Sequence, residues 1–541
     1  MKQRRTGMTR RGFLTRLAAI GGGGAVYHGL TTLGLLAIPP AYAGIPAYPA
    51  DIGKGRTVAI LGAGMAGLTA ALLLSRAGFA VKVIEANKHI GGRSLTVRPG
   101  DSYAEVGRDA LTCRFDAGLY LNAGPGRIPY HHTAVLDYCR ELGVAMEPYI
   151  FASRANLLQS DKAFGGHPVQ LRRVKHDLRG QLAEMLAKVP DPAALDGSLS
   201  AGDRSAFLEM LREFGALQRH GDGLVYNGSD RAGFAIPPGA GRNPGTLSPE
   251  IDLKTLLDTG FWKNGLFNDM VDFWQTSLMQ PVGGMDMIVQ GLLRAPVPGG
   301  RTVRDLVVTE TPVSEVANTA TGVTVVHAKG TDAVHFCIST MAPSLLAKTK
   351  NNFSPDYTRA LGKVVDAAAF KLGWQATRRF WEEDDQIYGG ISWTDHPITQ
   401  MWYPSDEFFS PTGVLTGAYN NGATAEMFGR LSHEQRVTLA MEGGEKLHPG
   451  FSNRVYEDRA LSIAWQNMPH FAGGWQTNPP EADPEAYFRM TVPEGNVMLA
   501  GDFLSYWWGW KEGAIRSADL AVDAIVSRAA QGGAAAGKAR Q

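Results

Sequence analysis

The sequence predicts an α/β fold: a parallel sheet layered with helices, joined to a mixed-sheet domain and a helical insertion. Three observations predict it. The apolar run Thr57–Leu61 is followed by Gly62-Ala63-Gly64-Met65-Ala66-Gly67, a helical pattern to about Ala77, and a second apolar run at Ala80–Ile84. Near the other end, the strand-like Asn496–Ala500 runs into Gly501-Asp502 and a helical pattern that reaches about Ser527. The length of 541 residues exceeds what one core usually supports, so two or three subdomains are expected.

The opening unit is read as a dinucleotide site. Gly62 permits a tight turn, Gly64 lets a pyrophosphate approach the backbone, and Gly67 lets the helix pack on the strand. The helix that opens at Met65 and Ala66 presents free N–H groups and its positive dipole end to phosphates. Glu85, with Ala86 beside it, closes the second strand 18 positions after Gly67, near the spacing expected of a carboxylate that accepts ribose hydroxyls. Gly91-Gly92-Arg93-Ser94 then brings the chain close beneath a cofactor, with a cation beside the phosphate charge. Together these segments resemble the FAD-binding opening of the flavin-containing amine oxidase family. The resemblance implies a Rossmann-like FAD-binding domain of the GR2 (amine oxidase) type, with FAD as cofactor.

Composition narrows the class without naming it. The chain is 44% hydrophobic and 19% charged, and its formal net charge of +1 gives no reason to invoke nucleic acid. Cys113, Cys139 and Cys337 are too scattered for a disulfide framework or a zinc site, and are read as free, mostly buried thiols. Residues 1–43 are read as a targeting segment outside the fold. Thr9-Arg10-Arg11-Gly12-Phe13-Leu14 resembles the twin-arginine export motif, a weakly apolar stretch runs from Leu17 to Ile38, and Ala41-Tyr42-Ala43 has the form of a signal-peptidase site. Cleavage there would start the mature protein at Gly44, exported already folded to the periplasm or beyond by the twin-arginine machinery.

Further along, Leu119–Pro129 has the glycines and prolines of a fixed loop. It resembles the G-P-x-R-[IL]-P segment of L-amino-acid oxidases, which implies that Arg127, next to Gly126, clamps a substrate carboxylate; a planar guanidinium suits that bidentate task. His132–Leu142, Leu171–Val189, Ser205–His220 and Ile251–Asp258 read as helices, and His220 as a surface histidine. Met279–Asp286 is similar to the family's PxGGM segment and returns the chain to the first domain. Thr302–Glu310, Val313–Val316, Gly322–His327 and Val334–Ser339 read as strands, with Val313 where the family's backbone meets the adenine. Phe370–Trp374 and Arg378–Gly390 are similar to the L-amino-acid oxidase segment around "FWEDDG". This implies that Lys371 is the family lysine that holds a water against flavin N5, and that Tyr419 shares the carboxylate with the arginine. The alternatives for these two are a solvent-pointing strand-edge lysine and a packing tyrosine.

The closing strand, Gly-Asp and Trp507–Ile515 carry the strongest resemblance. They imply that Gly501 and Asp502 meet the ribityl chain, that Gly509, Ala514 and Ile515 lie against the flavin, and that Trp465 and Trp510 line it, with Trp508 at the substrate. Trp475 stands where family members with covalent flavin carry cysteine, so FAD is expected to be non-covalent. The expected domains are 52–115, 280–365 and 486–530 for FAD, 116–170 and 366–485 for substrate, and 171–279 for the helical insertion. Over residues 52–530 the chain is similar to the bacterial L-amino-acid oxidase and tryptophan 2-monooxygenase branch. That implies oxidation of an L-amino acid by O2 to the 2-oxo acid, ammonia and hydrogen peroxide. An amide-forming monooxygenase, a primary-amine or polyamine oxidase, and a non-catalytic flavin-binding accessory protein are the alternatives. No residue makes a case as general base. Trp374, Trp393, Trp402, Trp508 and Trp510 suggest an aromatic pocket, and a homodimer is one option for assembly.

Overall fold

Short apolar strands that must be covered on both faces belong in a parallel sheet between layers. In the computed structural model, which describes residues 42–189, 200–263, 265–476 and 482–538, Thr57–Leu61 lies at the centre of such a sheet. Ala80–Ile84 pairs with it on one side and Phe336–Ser339 on the other, all parallel, while Val307–Val308 and Val497–Leu499 form the edges. The strand order therefore reverses between Thr57–Leu61 and Phe336–Ser339. In doubly wound sheets a ligand crevice opens outside the carboxyl ends of the strands at that reversal.

Helices Met65–Arg76 and Lys511–Lys538 cover one face, burying Leu68, Leu72, Ile515, Val522 and Ile525 with Ile60 and Ile338 of the sheet. The other face packs Ala59 and Leu61 against Val316, Val323 and Val325 of a four-stranded sheet built from Val313–Asn318, Val323–His327, Gly330–Val334 and Lys350–Asn351. A separate seven-stranded mixed sheet runs in the order Val455–Ala464, Ala369–Ala376, Val414–Asn421, Gln400–Tyr403, Gly390–Thr394, Leu157–Gln159, Val169–Gln170. Helices Gly422–Arg430 and His433–Leu447 lie on its far side, where Phe370 stacks on Phe428 at 4.4 Å. Ala369–Ala376 is an interior strand, buried along its whole length.

Several elements differ from the sequence reading. The helix expected at Ser205–His220 spans Ala201–Gly215, because Ser200 and Asp203 form a capping box at its start and Ala216 takes a left-handed φ of 53° at its end. Gln218–His220 then forms a hairpin with Gly223–Val225, and a second hairpin joins Phe234–Ile236 to Thr246–Leu247. The insertion is thus not purely helical. Thr302–Glu310 breaks into a short strand, the 3-10 turn Val303–Leu306 and the edge strand Val307–Val308. Of the expected targeting segment, residues 1–43, all but Tyr42 and Ala43 lie outside the described residues. From Tyr42 the chain packs on the long helix: the Arg516 guanidinium lies 4.9 Å from the Tyr42 ring, and Tyr48 donates to Asp523 at 2.7 Å. All three cysteines are free and buried.

Candidate active site

A cavity of ≈ 880 Å³ runs from the strand reversal to the seven-stranded sheet. Its first end is made of main chain. Gly62 turns at φ +102°, and the backbones of Gly64 and Gly92 border a slot: a side chain on Gly92 would come within 3.2 Å of Gly64 Cα. The helix that follows has Gly64 as N-cap and no side-chain cap, so its first N–H groups face the slot unclaimed. Glu85 is held beneath it, accepting from Ala63 N and Asn87 N at 2.8 Å each. Met65, Ala66, Ala86 and Val313 line the same end.

Arg93, expected as the cation beside the phosphate charge, lines the cavity; it forms an ion pair with Asp502, the carboxylate expected to receive ribityl hydroxyls, and also donates to Gly474 O at 3.0 Å. Asp502 in turn accepts from Gly509 N at 3.0 Å. The pair largely cancels its own charge, so its contribution is to orient this wall. Gly67 and Ile515 do not line the cavity. A side chain at Gly67 would strike Gly62 O and Ile60 Cγ2, which is the helix-packing role, and Ile515 is fully buried in the core on the same helix layer.

The second end is built on the loop around Arg127, pinned from three sides. Ile128 and Met279 exchange backbone hydrogen bonds of 2.7 and 2.9 Å, Trp465 Nε1 donates to Ala123 O at 3.0 Å, and Lys371 Nζ donates to Asn122 O and Gly124 O at 2.9 and 2.5 Å. The PxGGM segment thus fixes the arginine loop, a link the sequence did not reveal. Arg127 makes no ion pair with a described residue, and its Nε has no hydrogen-bond partner. Its guanidinium sits among rings instead, 4.7 Å from Trp402, 5.4 Å from Phe151 and 5.9 Å from Trp510.

Lys371 is not a solvent-pointing edge residue. It is buried, with Nζ 4.6 Å from the Trp402 ring and 5.4 Å from that of Tyr419, its register partner on the next strand. Burial, with Arg127 adding repulsion, holds its pKa well below the usual lysine range. Burial also raises the Tyr419 hydroxyl, with Arg127 opposing. The lining carboxylates Glu85, Asp366 and Asp502 are each engaged by protein donors. The described lining therefore sets a guanidinium, a lysine and a tyrosine in an aromatic cage and offers them no anion.

Of the tryptophans expected to shape a pocket, Trp393, Trp508 and Trp510 line the cavity, and Trp402 backs it beneath Arg127. Trp374 does not: it is fully buried on the opposite face of the sheet, 5.4 Å from Phe451. Gly126, Gly501, Ala514, Trp465 and Trp475 are all in the wall. Sequence reasoning missed His132, which lines the cavity edge-on to Trp510 at 4.9 Å. Its Nε2 has no partner among the described residues, and burial, reinforced by His131, drives its pKa down to about 3. It missed Phe151, Phe273, Trp274 and Lys511 as well. Nothing local marks Phe151, Phe273 and Trp274, which reach the site through distant chain segments, whereas Lys511 lies within the closing motif beside Trp510.

A family model described as flavin-containing amine oxidoreductase matches residues 65–526, and the chain belongs to that family. Among curated relatives it is similar to the L-amino-acid oxidase of Protobothrops flavoviridis, 27% identical over 481 residues and covering 85% of this chain and 86% of that one. It is likewise similar to the L-amino-acid oxidase of Siganus canaliculatus, 27% identical over 494 residues and covering 86% and 84%. Among solved structures, cyclohexylamine oxidase from Brevibacterium oxydans superposes with a TM-score of 0.57 at 18% identity, covering 87% of this chain and 99% of that one. Putrescine oxidase follows with a TM-score of 0.56 at 17% identity and the same coverage. The fold is that of the flavin amine oxidases, and the family carries a flavin. The residues present fit one: a main-chain slot beside an uncapped helix N-terminus for phosphates, and an elongated cavity leading from it to the cationic cage.

Proposed function

We propose that this chain is an FAD-dependent L-amino-acid oxidase. One observation carries the reading: Arg127, without a carboxylate partner among the described residues, faces the cavity that Lys371 and Tyr419 also line. Arg127 is half-buried, and its buried Nε, left without a partner among the described residues, carries a cost that a substrate carboxylate offsets. Bound FAD supplies the chemistry, accepting two electrons as hydride from the substrate Cα and passing them to O2 as peroxide. The protein's share is placement and electrostatics. Arg127 offers its fork to the carboxylate, the Tyr419 hydroxyl adds a second donor, and the rings of Phe151, Trp402 and Trp510 exclude water and leave an apolar space for the side chain. The imino acid is released to water and hydrolyses to the 2-oxo acid and ammonia. FAD is held non-covalently, since Trp475 provides no thiol for attachment.

Product analysis tests the reading. Turnover of an L-amino acid should yield 2-oxo acid and peroxide in equal amounts. Amide with carbon dioxide would make the chain a 2-monooxygenase, and aldehyde from simple amines alone would make it an amine oxidase. Lys371→Met is expected to slow reoxidation of the reduced enzyme by O2 much more than its reduction by substrate. Stopped-flow traces with unchanged reoxidation would return Lys371 to its structural bonds with Asn122 O and Gly124 O.

Export by the twin-arginine pathway is also proposed, on Arg10-Arg11 and the Ala41-Tyr42-Ala43 site. Replacing both arginines by lysine should leave yellow, folded protein in the cytoplasm. A normal periplasmic yield from that variant would point to another route.

A further inference from the structure

Lys511 is a buried cation that the reading above does not use. It is the first residue of helix Lys511–Lys538, is 7% exposed, and lines the cavity. Its one hydrogen bond with a described residue is to the hydroxyl of Ser94. No carboxylate among the described residues lies within ion-pair distance of it. Asp286, the acid that favours its charged form most, is committed to Arg98 by bonds of 2.9 and 2.7 Å. A lysine here is unfavourable on two counts: burial without a counter-ion, and a positive charge at the positive end of a helix dipole. Burial, with Arg93 adding to it and Asp286 and Cys139 opposing, drags the ammonium down to about 7. Such a position is costly unless the cavity supplies negative charge.

The surroundings indicate which charge. Ser94 directly follows Gly92 and Arg93, which border the phosphate slot, while the neighbouring Trp510 lies 5.9 Å from the Arg127 guanidinium. Lys511 therefore stands between the phosphate end and the substrate end, alongside the part of a cofactor that joins the two. We propose that Lys511 is a second cation of the flavin site, which offsets the negative charge that reduction places on the pyrimidine ring and so raises the flavin's reduction potential. Ser94 holds the ammonium in place. This assignment rests on flavin occupying the cavity, and does not depend on which amine is oxidised.

The test uses the purified flavin-loaded protein and needs no substrate. Sulfite, which adds to flavin and leaves the same negative charge on the ring, should bind Lys511→Met about tenfold more weakly than wild type. The midpoint potential, measured by equilibration with a reference dye, should fall by the corresponding ~30 mV of a two-electron couple. Lys511→Gln, which keeps a donor for Ser94 and removes the charge, should shift both values alike and serves if the methionine variant is not recovered folded. Unchanged sulfite affinity and potential in the flavin-reconstituted variant, together with weaker flavin binding, would overturn the proposal and assign the charge to the phosphates. The same unchanged values with only a lower Tm would make Lys511 structural. Because sulfite binding and dye equilibration proceed without turnover, failure of the amino-acid oxidase reading leaves this result intact, and the reverse holds too.

Discussion

Arg127→Ala is expected to lower kcat/KM for L-amino acids by a factor of about 30 to several thousand. The guanidinium makes no ion pair with a described residue and its Nε is unbonded, so its removal breaks no salt bridge of the fold. What disappears is a charge-assisted, bidentate contact to the substrate in a partly dry cage. Removing one partner of such a pair costs about 2–5 kcal/mol, which is the stated range in rate. Arg127→Lys should recover only part of the loss, since an ammonium cannot form the fork. Amines with the same side chain but no carboxylate never use the contact, so their turnover should barely change. Tyr419→Phe should give a smaller loss with the same selectivity. The rings of Phe151, Trp402 and Trp510 also gain cation–π energy from Arg127, about 0.5–2 kcal/mol. A fall in Tm that accompanies the loss of kcat/KM is therefore compatible with the clamp. A fall in Tm or flavin content with amino-acid KM intact is not, and would place the carboxylate site elsewhere.

How much of this was legible in the sequence depends on the range of the interaction. The strand, glycine turn and helix at 57–76 are specified locally: apolar β-branched residues, then Gly62, whose φ, and Gly67, whose contacts, no other residue meets. Those elements appear where the sequence placed them. Arg127, Lys371 and Tyr419 could be singled out by resemblance, but not by pattern, because a strand lysine in isolation reads as surface. Only the sheet order, which puts Ala369–Ala376 between two partners, explains why Lys371 is buried. The Arg93–Asp502 pair joins residues 409 apart in sequence, and no local signal announces that these two candidate cofactor ligands satisfy each other. The boundary error at residues 205–220 has a local cause: Ser200 and Asp203 form the capping box that starts the helix four residues earlier than its apolar spacing suggested. His132 and Lys511 escaped notice for the same reason as Trp374 was misplaced, since neither burial nor facing direction can be read from residue type.

Gly64→Val should give a folded protein that has lost its flavin. The glycines of the motif are there for different reasons, and the structure separates them. Gly64 has φ −82° and ψ −172°, an extended conformation that any residue adopts, and the nearest protein atom to a side chain there is Gly92 Cα at 3.9 Å. Neither strain nor protein crowding therefore demands glycine at this position, and what a valine would fill is the slot itself. Filling a tight space costs about 1–3 kcal/mol. Displacing a charged group from its N–H donors costs about 1.5–3 kcal/mol for each bond lost. Together these lower cofactor affinity by on the order of 10³-fold or more. Gly67→Val provides the contrast, because its side chain would meet Gly62 O and 3.3 Å away Ile60 Cγ2, within the fold rather than in the slot. The measurement is flavin content by absorbance beside circular dichroism and Tm of the flavin-free proteins. Gly64→Val should match wild-type apoprotein in spectrum and Tm while copurifying with no flavin, and Gly67→Val should be destabilised with or without it. Acid precipitation of wild type should release its flavin to the supernatant, confirming that the colour lost in Gly64→Val was held by these contacts and not by a covalent bond. Stoichiometric flavin in Gly64→Val would show that the phosphates bind elsewhere than between Gly64 and Gly92.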